Sequence, residues 1–510
     1  MRIRRLGPLT RFLLLAVTVA ALAAAVWGAV VVLTPDPSCG PGVRKRDGER
    51  TCTGVTDGSV SFGPQLDEVF ARIKAENDSI GSTPHVTIAL MVPMDLPTEA
   101  GRLELLREVQ GAYFSQYRAN HESNSQTPAI RLELANPGRN SAHWRPVADQ
   151  LAAMAASPQD NLRVVFGFDI SVRSTQKTID YLTNKKKIPV VGGPITADDI
   201  ANTEQNPAAF NGLVRVNPSN SDQINALTHF DHGVPAHQTL VVEDLRDDDN
   251  YIVTLRKFFE ARTRGAPLAP EQFRSPADVD SPGGTSNDFR QMISTICDSS
   301  AKDIYFAGRP VQLRQFLNEL GHRGCSTRDF TVISGPAANA LAWDSQFDWN
   351  TLRHGVTLEF SATAHPDAWT GPDVPATGGS PAAYHILSDL AKRGTHAPIG
   401  PVGPVDLTDS RTIISYDSAW TAITAIRERA VRGTALPSTD DIRNVWLRLH
   451  GPNRIDGASG WICLDNHGNP YDKAVSVVRL DPVTRSIRFV ALSWPTGHPP
   501  TAECTAPPGG

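Results

Sequence analysis

Two groups of small polar side chains are placed where they could bind a small molecule. The apolar run RVVFGF, from Arg163, is followed by Ser171, and the run IPVVGG, from Ile188, is followed by Thr196. Each hydroxyl stands near the predicted start of a helix, where free backbone N–H groups attract carboxylate or phosphate. Helix capping alone would also explain a hydroxyl at either position. This chemistry is non-covalent recognition of a polar or anionic ligand.

Sequence motifs for catalysis and for metal binding are missing. The chain has no Walker A loop, GxGxxG, HExxH or GxSxG motif,. The acidic run at 247–249 lacks the ligand spacing of a calcium loop and predicts a solvated helix start instead. We therefore predict a protein that is not an enzyme and that uses no cofactor and no metal.

Length and charge narrow the class of protein further. A chain of 510 residues exceeds the size of one typical domain, so at least two lobes are expected,. Its 49 Lys and Arg face 54 Asp and Glu, for a net charge of -5. Because that balance gives no basic excess to hold a phosphate backbone, nucleic acid is not an expected partner.

The N-terminal region predicts export. Residues 12–33 are apolar apart from Thr18 and are long enough to cross a bilayer,. Arginines without any acid precede this stretch, so residues 1–11 are expected in the cytoplasm and the bulk of the chain outside the cell, as a single-pass protein of the cell membrane,. A cleaved signal peptide is the alternative. Lipidation at Cys39 is disfavoured because no aliphatic residue stands three positions before it.

The even number of cysteines in an exported chain indicates disulfides, although the sequence allows many connectivities. A zinc site is the competing interpretation, but no two cysteines have CxxC spacing,. We predict that sequence neighbours pair: Cys39 with Cys52, Cys297 with Cys325, and Cys463 with Cys504.

The sequence predicts an alternation of strands and helices, which would position these side chains. Residues 34–61 are rich in Pro, Gly and charge and predict a juxtamembrane linker,. Beyond Phe62, apolar runs such as VTIALMV, TLVVED and DIYFAG alternate with segments of helical period,. Continuous apolar strands separated by helices predict an α/β fold with parallel sheets covered on both faces. A TIM barrel has the same alternation, but the Pro- and Gly-rich segments at 262–287 and 364–383 fit a barrel poorly.

The order of these segments resembles the type I periplasmic binding proteins, the leucine/isoleucine/valine-binding group of ABC transporters. VTIALMV, then VVFGFDISVRSTQKTIDYLTNKKKIPVVGGPIT, is similar to the first lobe of that family, and GLVRVNPSNSDQINAL is similar to its crossover. TLVVEDLRDDDNYIVTLRKFFEARTRG then resembles the start of the second lobe. The resemblance implies two Rossmann-like lobes joined by three crossovers, with the ligand held between them.

Lobe boundaries follow from the same resemblance. It implies that lobe 1 comprises 62–215 and 335–433 and that lobe 2 comprises 216–334 and 434–492. Residues 493–510 form a Pro-rich tail.

The resemblance also implies ligand contacts. Ser171 and Thr196 occupy the positions where the family binds a ligand carboxylate, and Tyr251 falls near an aromatic that packs on the ligand. Ala337 stands where amino-acid binders have an acid for the ligand ammonium, whereas Arg309 adds a guanidinium. This departure favours an anionic or strongly polar solute. A surface salt bridge is the alternative role for Arg309.

The function that the resemblance implies is solute capture. The protein would be a membrane-anchored, extracellular substrate-binding protein that delivers a small polar or anionic solute to an ABC transporter permease. A ligand-sensing ectodomain that signals through a partner protein is the alternative. An enzyme is disfavoured because neither lobe offers a nucleophile and base that the sequence pairs.

Overall fold

The structure is a computed structural model that describes residues 17–19, 38–46, 51–123, 127–230, 235–430 and 436–506. The predicted cytoplasmic residues 1–11 and the predicted anchor at 12–33 lie outside this part, except for 17–19. No helix in the described ranges combines the length and the apolar composition needed to span a bilayer.

Helices cover both faces of two β-sheets. The helices are α1 (Asp67–Ile80), α2 (Glu99–His121), α3 (Trp144–Ala156), α4 (Arg173–Asp180), α5 (Asn220–Phe230), α6 (Asn250–Arg262), α7 (Thr285–Asp298), α8 (Pro310–Gly321), α9 (Pro381–Arg393), α10 (Arg411–Ala430) and α11 (Thr439–Trp446).

Strands from distant parts of the chain share each sheet. The strands are β1 (Ser38–Gly40), β2 (Val43–Lys45), β3 (Cys52–Thr56), β4 (His85–Met91), β5 (Ala129–Asn136), β6 (Leu162–Gly167), β7 (Val190–Gly192), β8 (Leu213–Arg215), β9 (Thr239–Asp244), β10 (Glu271–Phe273), β11 (Asp303–Ala307), β12 (Phe330–Ser334), β13 (Val356–Ala362), β14 (Ile455–Gly457), β15 (Gly460–Ile462), β16 (Val475–Asp481) and β17 (Ser486–Ser493).

Lobe 1 is built on the sheet β1-β2-β3-β5-β4-β6-β7-β8, in which the pairs from β5 to β8 are parallel. Successive side chains of a strand point to opposite faces. On β4, Ile88 and Leu90 therefore join one apolar core with α1, α2 and α10, whereas Ala89 and Met91 join a second core with α3 and α4. Because both faces are covered, the strand is apolar from Ile88 to Met91, as the sequence predicts,.

Lobe 2 is built on the sheet β10-β9-β11-β12-β13-β16-β17. The pairs from β10 to β13 are parallel, and β16 and β17 add an antiparallel hairpin at one edge. Helices α7 and α8 pack on one face of this sheet, and α5 and α6 pack on the other. The α/β fold with two parallel-rich sheets agrees with the sequence prediction.

The division of the chain between the lobes differs from the predicted boundaries in two places. The sequence assigns 335–433 to lobe 1, but β13 pairs with β12 and β16 in the lobe 2 sheet. The return to lobe 1 therefore falls after β13, at 363–380. The sequence assigns 434–492 to lobe 2, but α11 buries Ile442 and Val445 in the lobe 1 core.

The predicted linker at 34–61 contains ordered structure in its described part. Strands β1, β2 and β3 form an antiparallel ribbon, and β3 pairs with β5 at the edge of the lobe 1 sheet. The described residues 38–46 and 51–56 are thus part of lobe 1.

The cysteines pair as predicted. A disulfide joins Cys39 to Cys52 within the ribbon, a second joins Cys297 to Cys325 in lobe 2, and a third joins Cys463 to Cys504 and holds the tail. No free cysteine occurs in the described ranges.

Helices α2 and α10 pack closely because a glycine stands at their contact. A Cβ atom added at Gly111 would lie 2.2 Å from the carbonyl oxygen of Thr412 and 2.8 Å from the amide nitrogen of Tyr416. The hydroxyl of Ser115 donates to the Tyr416 carbonyl at 2.7 Å. This contact places the start of α10 beside the first half of α2, where Arg411 reaches Glu104 and Glu108.

Candidate functional site

A cavity of about 380 Å³ lies between the two lobes. Lobe 1 contributes the start of α2, the end of β6 and the start of α10, and lobe 2 contributes the start of α8 and the segments around 279–282 and 337–346. Its charged lining residues are Glu99, Glu104, Asp169, Asp280, Asp344, Arg309, Arg314 and Arg411. The cleft therefore presents groups of both signs, with more carboxylates than guanidiniums.

Arg411 organises the lobe 1 wall of the cavity. Its Nη1 lies 2.6 Å from Glu108 Oε1 and 2.9 Å from Asp169 Oδ1, and its Nη2 lies 3.4 Å from Glu104 Oε2. One guanidinium thus forms ion pairs with three carboxylates. Burial raises the pKa of Glu104 to about 7 although Arg411 opposes the rise, and it raises the pKa of Glu108 well above its ordinary value.

A second arginine, Arg107, lies behind this wall and contacts lobe 2. Arg107 forms ion pairs with Asp409 and, at 3.1 Å, with Asp406. Its guanidinium carbon lies 4.1 Å from the centre of the Trp343 ring, which borders the cavity from lobe 2. Burial raises the pKa of Asp409 to about 6 against the lowering effect of Arg107.

On the lobe 2 side, Arg309 is held by a buried ion pair. Its Nε and Nη2 donate to the two carboxylate oxygens of Asp249, each at 2.8 Å. Nη2 also donates to the backbone carbonyl of Ser171 at 3.2 Å and so links the lobes. Only 5% of Arg309 and none of Asp249 is exposed. The alternative predicted for Arg309, a salt bridge, is present, but it is buried and not on the surface.

The structure brings Ser171 and Thr196 together beside this pair. The Ser171 hydroxyl oxygen accepts from the backbone N–H groups of Thr196 at 3.2 Å and Ala197 at 3.3 Å. Its carbonyl accepts from the amide of Tyr251 at 3.1 Å. Both hydroxyl residues are buried and neither borders the cavity.

The ring of Tyr251 packs against the guanidinium of Arg309. The guanidinium carbon lies 4.8 Å from the centre of the tyrosine ring, a cation–π contact,. Burial raises the pKa of this tyrosine. The four residues predicted from the sequence to bind ligand lie together at the junction of the lobes. Of these, Arg309 borders the cavity, whereas Ser171, Thr196 and Tyr251 do not.

Sequence reasoning assigned none of the acidic residues of the cleft to the ligand. Ala337 does border the cavity, as expected, but Glu104, Asp169 and Asp280 supply carboxylates from other elements. Asp169 has a positive φ of 55°, directly after Phe168 at 81°. Positive φ is uncommon for residues other than glycine and often accompanies function, so this turn sets the direction of the Asp169 carboxylate. Burial raises the pKa of Asp280.

Metal binding has no obvious site in this cleft. Across the described residues, no group of three or more His, Cys, Asp or Glu side chains is arranged to hold a metal ion. The carboxylates of the lobe 1 wall are instead engaged with Arg411.

Two α/β lobes, repeated passage of the chain between them and a cavity at their junction define the type I periplasmic binding protein fold. A leucine-binding protein from Thermotoga maritima shares it with a TM-score of 0.55 at 18% identity, over 81% of this chain and 100% of the other. A branched-chain amino acid transporter substrate-binding protein from Streptococcus pneumoniae, in complex with isoleucine, gives 0.56 at 13% identity, over 80% and 99%.

A solute-binding protein of an ABC transporter from R. palustris, in complex with 4-hydroxybenzoate, gives a TM-score of 0.55 at 13% identity, over 80% of this chain and 96% of the other. The sequence matches no protein-family profile and no curated protein. At these identities the likeness establishes the fold.

Proposed function

We propose that this protein is an extracellular substrate-binding protein, anchored by residues 12–33, that captures a small polar solute for an ABC transporter. The observation that carries the proposal is the cavity of about 380 Å³ between the lobes, lined by charges from both. Clefts of this size at domain junctions are typical ligand sites. Solved proteins of the same fold that are named for leucine and branched-chain amino acid binding support it.

The charges of the cleft favour an amino-acid-like solute over a simple anion. Asp249 already neutralises the charge of Arg309. This guanidinium therefore attracts an anionic ligand less strongly than an unpaired guanidinium would. Within the described residues, Arg309 donates its hydrogen bonds through Nε and Nη2. We propose that Nη1 reaches the ligand carboxylate. Asp280 and Asp169 line the same cavity and would attract a ligand ammonium, although Asp169 is also paired with Arg411. Ser171, Thr196 and Tyr251 then act by positioning Arg309 at the lobe junction.

The test is a ligand screen on the full-length protein in a mild detergent. Amino acids, their amides and hydroxybenzoates are added singly, and the melting temperature is followed. A solute at about 100 times its dissociation constant adds about 2.7 kcal/mol to the free energy of unfolding, which gives a clear shift. Failure of every class to shift the melting temperature would contradict solute capture.

Anchoring is tested separately on intact cells. Added protease should digest the lobes, and N-terminal sequencing of the membrane-extracted protein should recover residues before Phe12. A mature N-terminus after residue 25 would indicate a cleaved signal peptide and contradict the anchor.

A further inference from the structure

A second concave site lies on lobe 1, at the opposite end of α2 from the cleft. The groove has a volume of about 480 Å³ and forms where the end of α2, the end of α10 and the start of α9 meet β14. Its basic lining residues are Arg118, Arg427 and Arg454, and Trp420 forms part of its wall. Arg118 lies roughly 20 Å along α2 from Glu104, given the rise of about 1.5 Å per residue. The groove is thus separate from the solute cavity.

Arg118 is held in place without a charged partner. Its guanidinium carbon lies 3.7 Å from the centre of the Trp420 ring, and Nη1 lies 2.6 Å from the hydroxyl oxygen of Tyr416. No ion pair of Arg118 occurs within the described ranges. Stacking on an aromatic ring orients the planar guanidinium but leaves its charge uncompensated.

A second guanidinium is buried beside the first. Arg427 is only 5% exposed and donates through Nη2 to the carbonyl of Ala119 at 2.6 Å. Burial and, secondly, the charge of Arg118 lower the pKa of Arg427 to about 10. Arg118 and Arg427 thus line the same groove.

Arg454 completes the basic set from the side of β14. Its guanidinium carbon lies 3.8 Å from the centre of the Trp461 ring, and its Nε lies 3.5 Å from Asp456 Oδ1. Glu428 and Asp456 also line the groove. The start of α9, at Ser380 and Ala382, lines the groove as well, and its helix dipole adds positive potential,.

We propose that this groove binds the oxyanion group, carboxylate or phosphate, of a second small solute, through Arg118 and Arg427 with Arg454 at the rim. Guanidinium groups match the geometry of such oxyanions by paired hydrogen bonds. This inference is independent of the function proposed for the interlobe cavity.

The test measures inorganic phosphate and acetate binding by calorimetry on the full-length protein, at constant ionic strength set with sodium chloride. The variants are Arg118→Gln and Arg454→Gln. The control is Arg290→Gln on lobe 2, whose side chain is 68% exposed beside Glu319. We expect the dissociation constant of at least one anion to rise about tenfold or more in Arg118→Gln, less in Arg454→Gln, and not in the control.

The melting temperature without added anion identifies a variant that is misfolded. If Arg118→Gln fails to fold, Arg454→Gln still tests the proposal. Arg454 lies at the rim, and its side chain and that of Asp456 are partly exposed, so this substitution should leave the fold intact. The proposal is overturned if neither phosphate nor acetate binds the wild type. It is also overturned if both anions bind every folded variant with wild-type affinity.

Discussion

Arg309 holds both carboxylate oxygens of Asp249, with Nε 2.8 Å from Oδ2 and Nη2 2.8 Å from Oδ1. Asp249 Oδ1 also accepts from the amide of Ile252 at the start of α6. The same guanidinium reaches the Ser171 carbonyl of lobe 1. A residue that the sequence assigns to the ligand is therefore first a structural link between the lobes.

We expect Arg309→Ala to lower the free energy of unfolding by about 3 kcal/mol, because it leaves the fully buried Asp249 carboxylate with only a longer ion pair, 3.9 Å from Arg246 Nη2,. A residue that only contacts ligand would change the stability of the unliganded protein little. Urea unfolding in the absence of ligand measures the difference.

The matched control for this prediction is Arg290→Ala. Arg290 pairs with Glu319 at 3.3 Å but is largely exposed, so its loss should cost about 0 to 1 kcal/mol,. Equal stability losses in Arg309→Ala and Arg290→Ala would show that the buried pair does not hold the lobes.

The pH dependence of stability should contain a contribution from Glu104. Because its folded pKa of about 7 exceeds its ordinary value of 4.5, the folded state binds more protons than the unfolded state between these values,. The stabilisation is complete below about pH 4.5 and is lost as the pH rises through 7. Glu104→Gln, which stays neutral, should therefore gain stability relative to wild type between pH 5 and pH 8.

Melting temperatures at the two pH values measure this difference. The control is Glu68→Gln at an exposed position in α1, which should keep the pH dependence of the wild type. A constant difference between Glu104→Gln and wild type from pH 5 to pH 8 would contradict a raised pKa at Glu104.

The contact between α2 and α10 predicts that Gly111→Ala destabilises the protein, although alanine favours a helix by about 1 kcal/mol. The added methyl would meet backbone atoms of Thr412 and Tyr416, which cannot rotate away. We expect a loss of about 1 to 3 kcal/mol. Gly324→Ala, with nothing within 4 Å of the new Cβ, is the control in the same urea titration. Unchanged stability in Gly111→Ala would contradict a close contact between α2 and α10 at this position.

Local sequence patterns were sufficient to locate several of the parallel strands, although not β10 and β13. VTIALMV corresponds to β4 at His85–Met91, and TLVVED corresponds to β9 at Thr239–Asp244. Such runs are readable because a strand covered on both faces is apolar at every position. The ribbon of β1, β2 and β3 was missed, because its strands are short and polar and are stabilised by pairing with β5, far along the chain.

The charges of the cleft could not be located from the sequence. Glu104 and Arg411 are brought together by the packing of α2 on α10, and no local pattern records a contact between residues so distant. Asp169 was visible beside Ser171, but the sequence does not reveal the positive φ that sets its direction. The disulfides were predicted because pairing of sequence neighbours closes short loops.

The most direct test of solute capture is calorimetric titration of the full-length protein with the solute that raises its melting temperature most. Asp169→Asn removes one charge from the cavity while keeping a residue that tolerates positive φ,. The account predicts one bound solute per chain and about tenfold weaker binding in Asp169→Asn, with wild-type affinity in Asp389→Asn, an exposed α9 position,. Wild-type affinity in Asp169→Asn would contradict binding of an amino-acid-like solute in the cleft.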